Sequence, residues 1–185
     1  MFIQTEQTPN PATLKFLPGQ VVLEAGTADF PSADSVAGSS PLTERLFDVD
    51  GVSGVFFGRD FITITKQEDR EWYVLKPSIL GAIMEHFTAG RPVMVETAAV
   101  GEPIHDEQDD EVVMQIKELL ETRVRPAVAQ DGGDIVFHGF ENGIVTLTLR
   151  GACAGCPSST ATLKMGIENM LRHYIPEVVE VRASA

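Results

Sequence analysis

Cys153 and Cys156 are the only cysteines in 185 residues, and two residues separate them. Thiolates at that spacing can face one soft metal centre, but a tetrahedral thiolate site takes four ligands and one chain supplies half of them. The pair lies in Gly151-Ala152-Cys153-Ala154-Gly155-Cys156-Pro157-Ser158-Ser159. Pro157 suits the first position of a helix, where its missing N–H needs no partner, and this puts Cys156 at the N-cap. Free N–H groups and the helix dipole favour an anionic sulfur there by roughly 0.3–1 kcal/mol. Gly151 and Gly155 permit a tight turn, while Ala152 and Ala154 keep the approach to the sulfurs uncluttered. The loop fits an inorganic ligand shared with a second set of thiolates. A dithiol redox pair and a zinc ion bridged between chains remain open beside an iron–sulfur cluster. A structural disulfide fits poorly, because the loop it would close is too short to restrain much unfolded chain.

The elements around this loop must place it. A helix is expected from the acidic stretch onward, with an apolar stripe of Val112, Val113, Ile116, Leu119, Leu120 and Val124, and with Arg123 and Arg125 at its C-terminal end. Pro126 interrupts or kinks it. Asp131-Gly132-Gly133-Asp134 reads as a turn that orders the cysteine loop, since paired glycines form turns and oxygen ligands do not match a thiolate site. A hairpin follows, Ile135–Phe140 and Ile144–Arg150 about Asn142-Gly143, with Val145, Leu147 and Leu149 on one face. After the cysteines a helix runs from about Ser158 to Tyr174, burying Leu163, Ile167, Met170, Leu171 and Tyr174. Gly166 weakens it by roughly 1 kcal/mol relative to Ala, and reads equally as a place for close approach by another backbone or a partner chain and as tolerated drift. Pro176 ends it, and Val178–Val181 adds an edge strand. Arg150 and Lys164 flank the thiols and can offset cluster charge.

Upstream, residues 2–8 and 12–17 read as strands about Pro9-Asn10-Pro11, and residues 26–41 as a surface loop. A short helix starts at Ser40 or Thr43, and Gly51 ends it. Val52–Phe57 and Phe61–Lys66 form a hairpin, and Pro77 opens a helix whose apolar positions Ile79, Leu80, Ile83, Met84 and Phe87 fall on one face at helical spacing. The expected fold is α+β: two small domains, each a short, mostly antiparallel sheet with helices on one face, the second in the order α-β-β-α-β. Residues 1–90 form the first domain, 91–108 an acidic linker and 109–185 the second.

Composition narrows the partners. With 27 acidic and 14 basic residues the net charge is −13, and no basic run exists to meet nucleic acid or an anionic membrane. No apolar run reaches the roughly 18–20 residues of a membrane span, and no leader is evident, so a cytoplasmic protein is expected, with a mature mitochondrial matrix protein as the alternative. His86, His105, His138 and His173 are scattered without ligand spacing and read as structural or solvated. No nucleophile–base constellation or phosphate loop points to an enzyme.

The segment Arg125-Pro126-Ala127-Val128-Ala129-Gln130-Asp131-Gly132-Gly133-Asp134, the cysteine loop, and the helix bearing Thr162-Leu163-Lys164 and Ile167-Glu168 closely resemble the NifU C-terminal, or Nfu, domain. Gln4-Thr5-Glu6, Thr8-Pro9-Asn10-Pro11, Thr13-Leu14-Lys15-Phe16 and the Lys76-Pro77 helix are similar to the Nfu N-terminal domain. The resemblance implies a non-catalytic iron–sulfur scaffold or carrier, NifU-like but without the assembly and ferredoxin-like domains of full-length NifU. It further implies a [4Fe-4S] cluster held by Cys153 and Cys156 between two subunits, supplied by an upstream assembly scaffold and passed to apo-proteins. The ligand count agrees, because two chains offer the four thiolates of a cubane or a rhombic [2Fe-2S] cluster. The competing functions are a thiol–disulfide oxidoreductase using the same cysteines and a zinc-bridged dimer.

Overall fold

Rows of β-branched and aromatic residues build the first sheet. In the computed structural model, which describes residues 1–95, 110–154 and 157–184, the chain packs as two units, residues 1–102 and 103–185. The first contains β1 (Gln4–Gln7), β2 (Thr13–Leu17), β3 (Ala28–Phe30), α1 (Pro41–Phe47), β4 (Val52–Phe57), β5 (Ile62–Lys66) and α2 (Trp72–Thr88). Its sheet runs β1-β2-β5-β4-β3, and every neighbouring pair is antiparallel. Register sets Leu14, Ile64 and Val55 in one cross-strand row and Phe16, Ile62 and Phe57 in the next. Such rows are the unit of sheet stabilisation, and here they form the core with Leu42 and Leu46 of α1 and Ile79 and Ile83 of α2.

Ser40 caps α1 by accepting from the Thr43 N–H, with Pro41 in the first turn. The surface loop expected at 26–41 instead contributes the edge strand β3. Phe30 anchors it, buried and edge-on to Phe57 with ring centroids 5.8 Å apart, and three residues are too few to display a period. The last helix begins at Trp72 rather than Pro77. Leu75 is buried, and the Trp72 indole donates to the Pro11 carbonyl at 3.2 Å, so tertiary contacts hold a first turn ahead of the proline. Most of the expected acidic linker lies outside the described residues. Residues 91–95 pack on the first unit: the Ser40 hydroxyl donates to the Val93 carbonyl at 2.6 Å and the Val95 N–H to that of Ser39 at 2.8 Å.

His86, in the last turn of α2, is wholly buried, and neither ring nitrogen has a hydrogen-bond partner among the described residues. Burial holds its imidazole below the usual histidine range, and the charges of Arg45 and Arg91 add to this, while the Pro92 and Arg91 backbone opposes it without reaching hydrogen-bond geometry. The unfolded chain therefore takes up a proton near pH 6.5 that the folded chain refuses. The stability this neutral group allows is complete above about pH 6.5 and is lost as pH falls, by at most about 1.4 kcal/mol per unit. Urea unfolding of the first unit is expected to weaken between pH 7 and 5, and His86→Leu to flatten that limb. Parallel pH curves for the two chains would refute this.

The second unit contains α3 (Glu111–Leu119), α4 (Arg125–Gln130), β6 (Gly133–Glu141), β7 (Ile144–Gly151), α5 (Pro157–Tyr174) and β8 (Glu180–Ser184). The sheet order is β6-β7-β8, antiparallel then parallel. Asn142 and Gly143 both take positive φ, 53° and 79°, as a two-residue hairpin turn matched to strand twist requires. Val145, Leu147 and Leu149 face one core with Ile116, Leu120, Val124, Val128, Ile167 and Leu171, so the helices lie on one face of the sheet.

Pro126 does not end the first helix. It has no N–H to donate, and the turn ahead of it widens through Leu120–Val124, where the Arg125 N–H reaches back to the Leu120 carbonyl; the chain then resumes as α4. Tyr174 is exposed, with the Arg123 guanidinium 5.2 Å from its ring centre, and Ile175 takes the buried place expected for it. A Cβ on Gly166 would meet nothing within 4 Å, so no contact within the described chain requires glycine there. Gly166→Ala is expected to stabilise the second unit by about 0.5–1 kcal/mol, read from its urea midpoint, and an unchanged or lower midpoint would refute the open environment.

Candidate metal centre

Gly151 ends β7 with φ 66°, and the chain closes a turn through the Ala154 N–H donating to the Gly151 carbonyl at 3.1 Å. The Ala152 N–H donates to the Gly132 carbonyl at 3.2 Å, and the Thr160 hydroxyl of α5 to the Cys153 carbonyl at 3.1 Å. The loop is thus fastened to the turn before β6 and to the first turns of α5.

The two glycines of Asp131-Gly132-Gly133-Asp134 serve different ends. Gly132, at φ 81°, closes the turn after α4, with its N–H on the Ala129 carbonyl. Gly133 opens β6 and makes room for sulfur: a Cβ there would fall 2.6 Å from Cys153 Sγ and 2.6 Å from the Arg150 carbonyl oxygen. Asp134 turns into the unit, its side chain 4% exposed, and accepts two hydrogen bonds of 2.9 Å from Arg125 Nε and Nη2. Arg125 Nη1 donates to Glu121 at 2.6 Å. This fork binds α4 to β6 beside the cysteine loop and holds Arg125 above its ordinary range, Asp134 first and Glu121 second, against the cost of burial. The pairing was not evident in sequence, where Arg125 read as a helix-end charge and Asp134 as part of the turn. The clue was an acid set directly before the apolar run Ile135-Val136-Phe137 at the start of a strand.

Cys153 is 7% exposed and belongs to the apolar core. Burial pushes its thiol up to about 12, and the negative charges of Asp131 and Asp134 add to the rise. The sulfur is therefore stored protonated, and binding a metal must displace that proton. Arg150 and Lys164, expected to offset negative charge, are not among the groups acting on this thiol; the Lys164 charge acts on Glu180. Cys156 and its expected N-cap position lie outside the described residues. Among the described residues no three His, Cys, Asp or Glu side chains converge as a metal site. His138 hydrogen-bonds Thr148 across the hairpin and His173 stacks edge-on with Tyr174, both in structural roles, while His105 is outside the described residues.

Family models match both units: "Scaffold protein Nfu/NifU N terminal" over residues 3–90 and "NifU-like domain" over residues 116–182. The chain belongs to the Nfu/NifU scaffold family. Among its relatives are the human "NFU1 iron-sulfur cluster scaffold homolog, mitochondrial", 56% identical over 96% of this chain and 70% of that protein, and the Drosophila ananassae protein of the same name, 56% identical over 98% and 63%. An Arabidopsis thaliana relative, "NifU-like protein 4, mitochondrial", is 54% identical over 96% and 64%. The chain thus spans about two thirds of the length of these Nfu proteins. As in the α+β reading of the sequence, each unit sets helices against a short sheet, antiparallel throughout in the first unit, while in the second the last pair, β7 with β8, is parallel. No helix among the described residues is long and apolar enough to cross a membrane.

Proposed function

We propose that the chain is a non-catalytic iron–sulfur cluster carrier. Two copies each contribute Cys153 and Cys156, hold one [4Fe-4S] cluster between them, and pass it to apo-proteins whose own thiolates displace the carrier's. The observation that carries this reading is the sulfur count: the chain has two cysteines, both in the loop between β7 and α5, and a four-thiolate cluster needs four. The relatives named as iron–sulfur cluster scaffolds support the cargo. A cluster held at an interface is released when the interface opens, which suits a donor. The buried Cys153 thiol, pushed up to about 12, counts against Cys153 as the attacking sulfur of an oxidoreductase, since attack on a disulfide needs thiolate at neutral pH. The relatives named as mitochondrial support the matrix alternative over the cytoplasmic expectation.

Anaerobic reconstitution with iron and sulfide tests the proposal. The expected product is brown, has the mass of a dimer and holds one cluster per two chains, and Cys153→Ser or Cys156→Ser abolishes it. A fully loaded monomer would refute the shared site. A colourless zinc-loaded dimer that rejects iron and sulfide would favour the zinc reading.

A further inference from the structure

A groove of about 460 Å³ lies in the first unit between β1 and the start of α2, with Thr5 and Gln7 on one side, Trp72 and Lys76 on the other, and Leu14 between them. Its rim is the Thr8-Pro9-Asn10-Pro11 turn, a motif for which cluster binding has no use. That turn is rigidly braced. The Thr8 hydroxyl donates to the Asn10 carbonyl at 2.8 Å, Asn10 Oδ1 accepts the Ala12 N–H at 3.0 Å, and Trp72 fixes Pro11.

β1 is an edge strand, paired on one side only among the described residues. Thr5 lies opposite Phe16 and Gln7 opposite Leu14, so both point to the core side of the sheet, where the groove is. A strand added outside β1 would turn every second side chain toward the same groove. Lys76 is half-buried and has no ion pair among the described residues, a cation left open on a chain of net charge −13. Trp72 and Lys76 stand one helical turn apart, about 6 Å along the axis. Side chains two apart on a strand are spaced by about 6.7 Å.

We propose that this groove is a docking site for an extended segment of a partner protein, which joins β1 as an additional strand and sets an acidic and an apolar side chain, two residues apart, against Lys76 and Trp72. Backbone pairing with β1 supplies affinity, and the two groove positions supply selection. The recognition does not involve the cysteines, so a Cys153→Ser chain binds the segment as the parent does.

Trp72 is the chain's only tryptophan, so its fluorescence reports on this groove alone. The probe is a capped hexapeptide in which threonine alternates with glutamate and isoleucine, compared with its counterpart carrying lysine for glutamate. The full chain is expected to give a saturable change in Trp72 emission with the glutamate peptide and a response about tenfold weaker with the lysine peptide. Lys76→Glu should reverse that preference, and Lys76→Gln should remove it while the circular dichroism of the fold is retained. Emission that ignores both peptides, or responds to both equally, would overturn the proposal. So would emission that shifts with protein concentration alone, which would assign the edge to a second copy of the chain.

Discussion

Gly133→Ala is expected to unseat Cys153 and destabilise the second unit by about 1–3 kcal/mol, the usual cost of overfilling a packed interior. The new methyl carbon would sit 2.6 Å from both Cys153 Sγ and the Arg150 carbonyl oxygen. A side chain at that distance can swing aside, but the carbonyl belongs to β7 and is held by its pairing with β6, where Gly133 lies opposite Gly151. Two outcomes follow together. The urea midpoint of the second unit falls, and Cys153, driven from its pocket, reacts faster with iodoacetamide. In the parent chain that reaction is slow at neutral pH, because the thiol is buried and its ionisation is pushed up to about 12. Modification mapped to the peptide bearing Cys153 separates it from Cys156. An unchanged midpoint together with unchanged alkylation would mean that the sulfur does not rest on Gly133. A chain that loses stability while Cys153 stays protected would place the strain in the strand pair instead.

Sequence periodicity located the elements that carry a clear pattern. The two hairpins, the cap at Ser40 and the apolar stripe through Ile116, Leu120 and Val124 were legible because local chemistry and burial point the same way. Elements held by distant contacts were not. β3 is three residues long, held by its pairing with β4 and by Phe30 against Phe57, and the first turn of α2 rests on Trp72 reaching Pro11 and Leu75 reaching the core. The widened turn before Pro126 escaped for a different reason: a proline in a helical pattern normally reads as a break, and the backbone here absorbs it by reaching one residue further back. At the site, the cysteine spacing was plain in the sequence, whereas the packing of Cys153 over Gly133 and the Arg125–Asp134 fork arise only when α4, β6 and the loop meet. The expectation of an anionic sulfur concerned Cys156 at a helix terminus, which lies outside the described residues. For Cys153, burial and two neighbouring carboxylates dominate, and they act in the opposite direction.

Arg125→Met is expected to cost the second unit about 2–3 kcal/mol, more than removal of an ordinary surface charge. Losing one partner of a buried pair typically costs about 3–5 kcal/mol, because the other charge stays in the interior without its counter-ion. Asp134 meets that condition with 4% of its side chain exposed; Arg125, at 30%, is partly screened by solvent, which places the expectation below that range. The Glu121 contact adds little to this cost, since its carboxylate is 65% exposed and returns to water when the arginine goes. Asp134→Leu added to Arg125→Met should recover much of the loss, because it removes the buried carboxylate that has lost its arginine and fills the space with apolar volume. The double mutant would also separate structure from electrostatics at the thiol. Taking away Asp134 removes one of the two charges that raise Cys153, but burial is the larger cause and remains, so the thiol is expected to titrate only slightly lower. Recovery of the urea midpoint with slow alkylation of Cys153 would establish the fork as a brace between α4 and β6. Recovery with fast alkylation would instead make the fork the device that keeps the sulfur in its pocket, and a double mutant no more stable than Arg125→Met would show that the pair's value is not electrostatic.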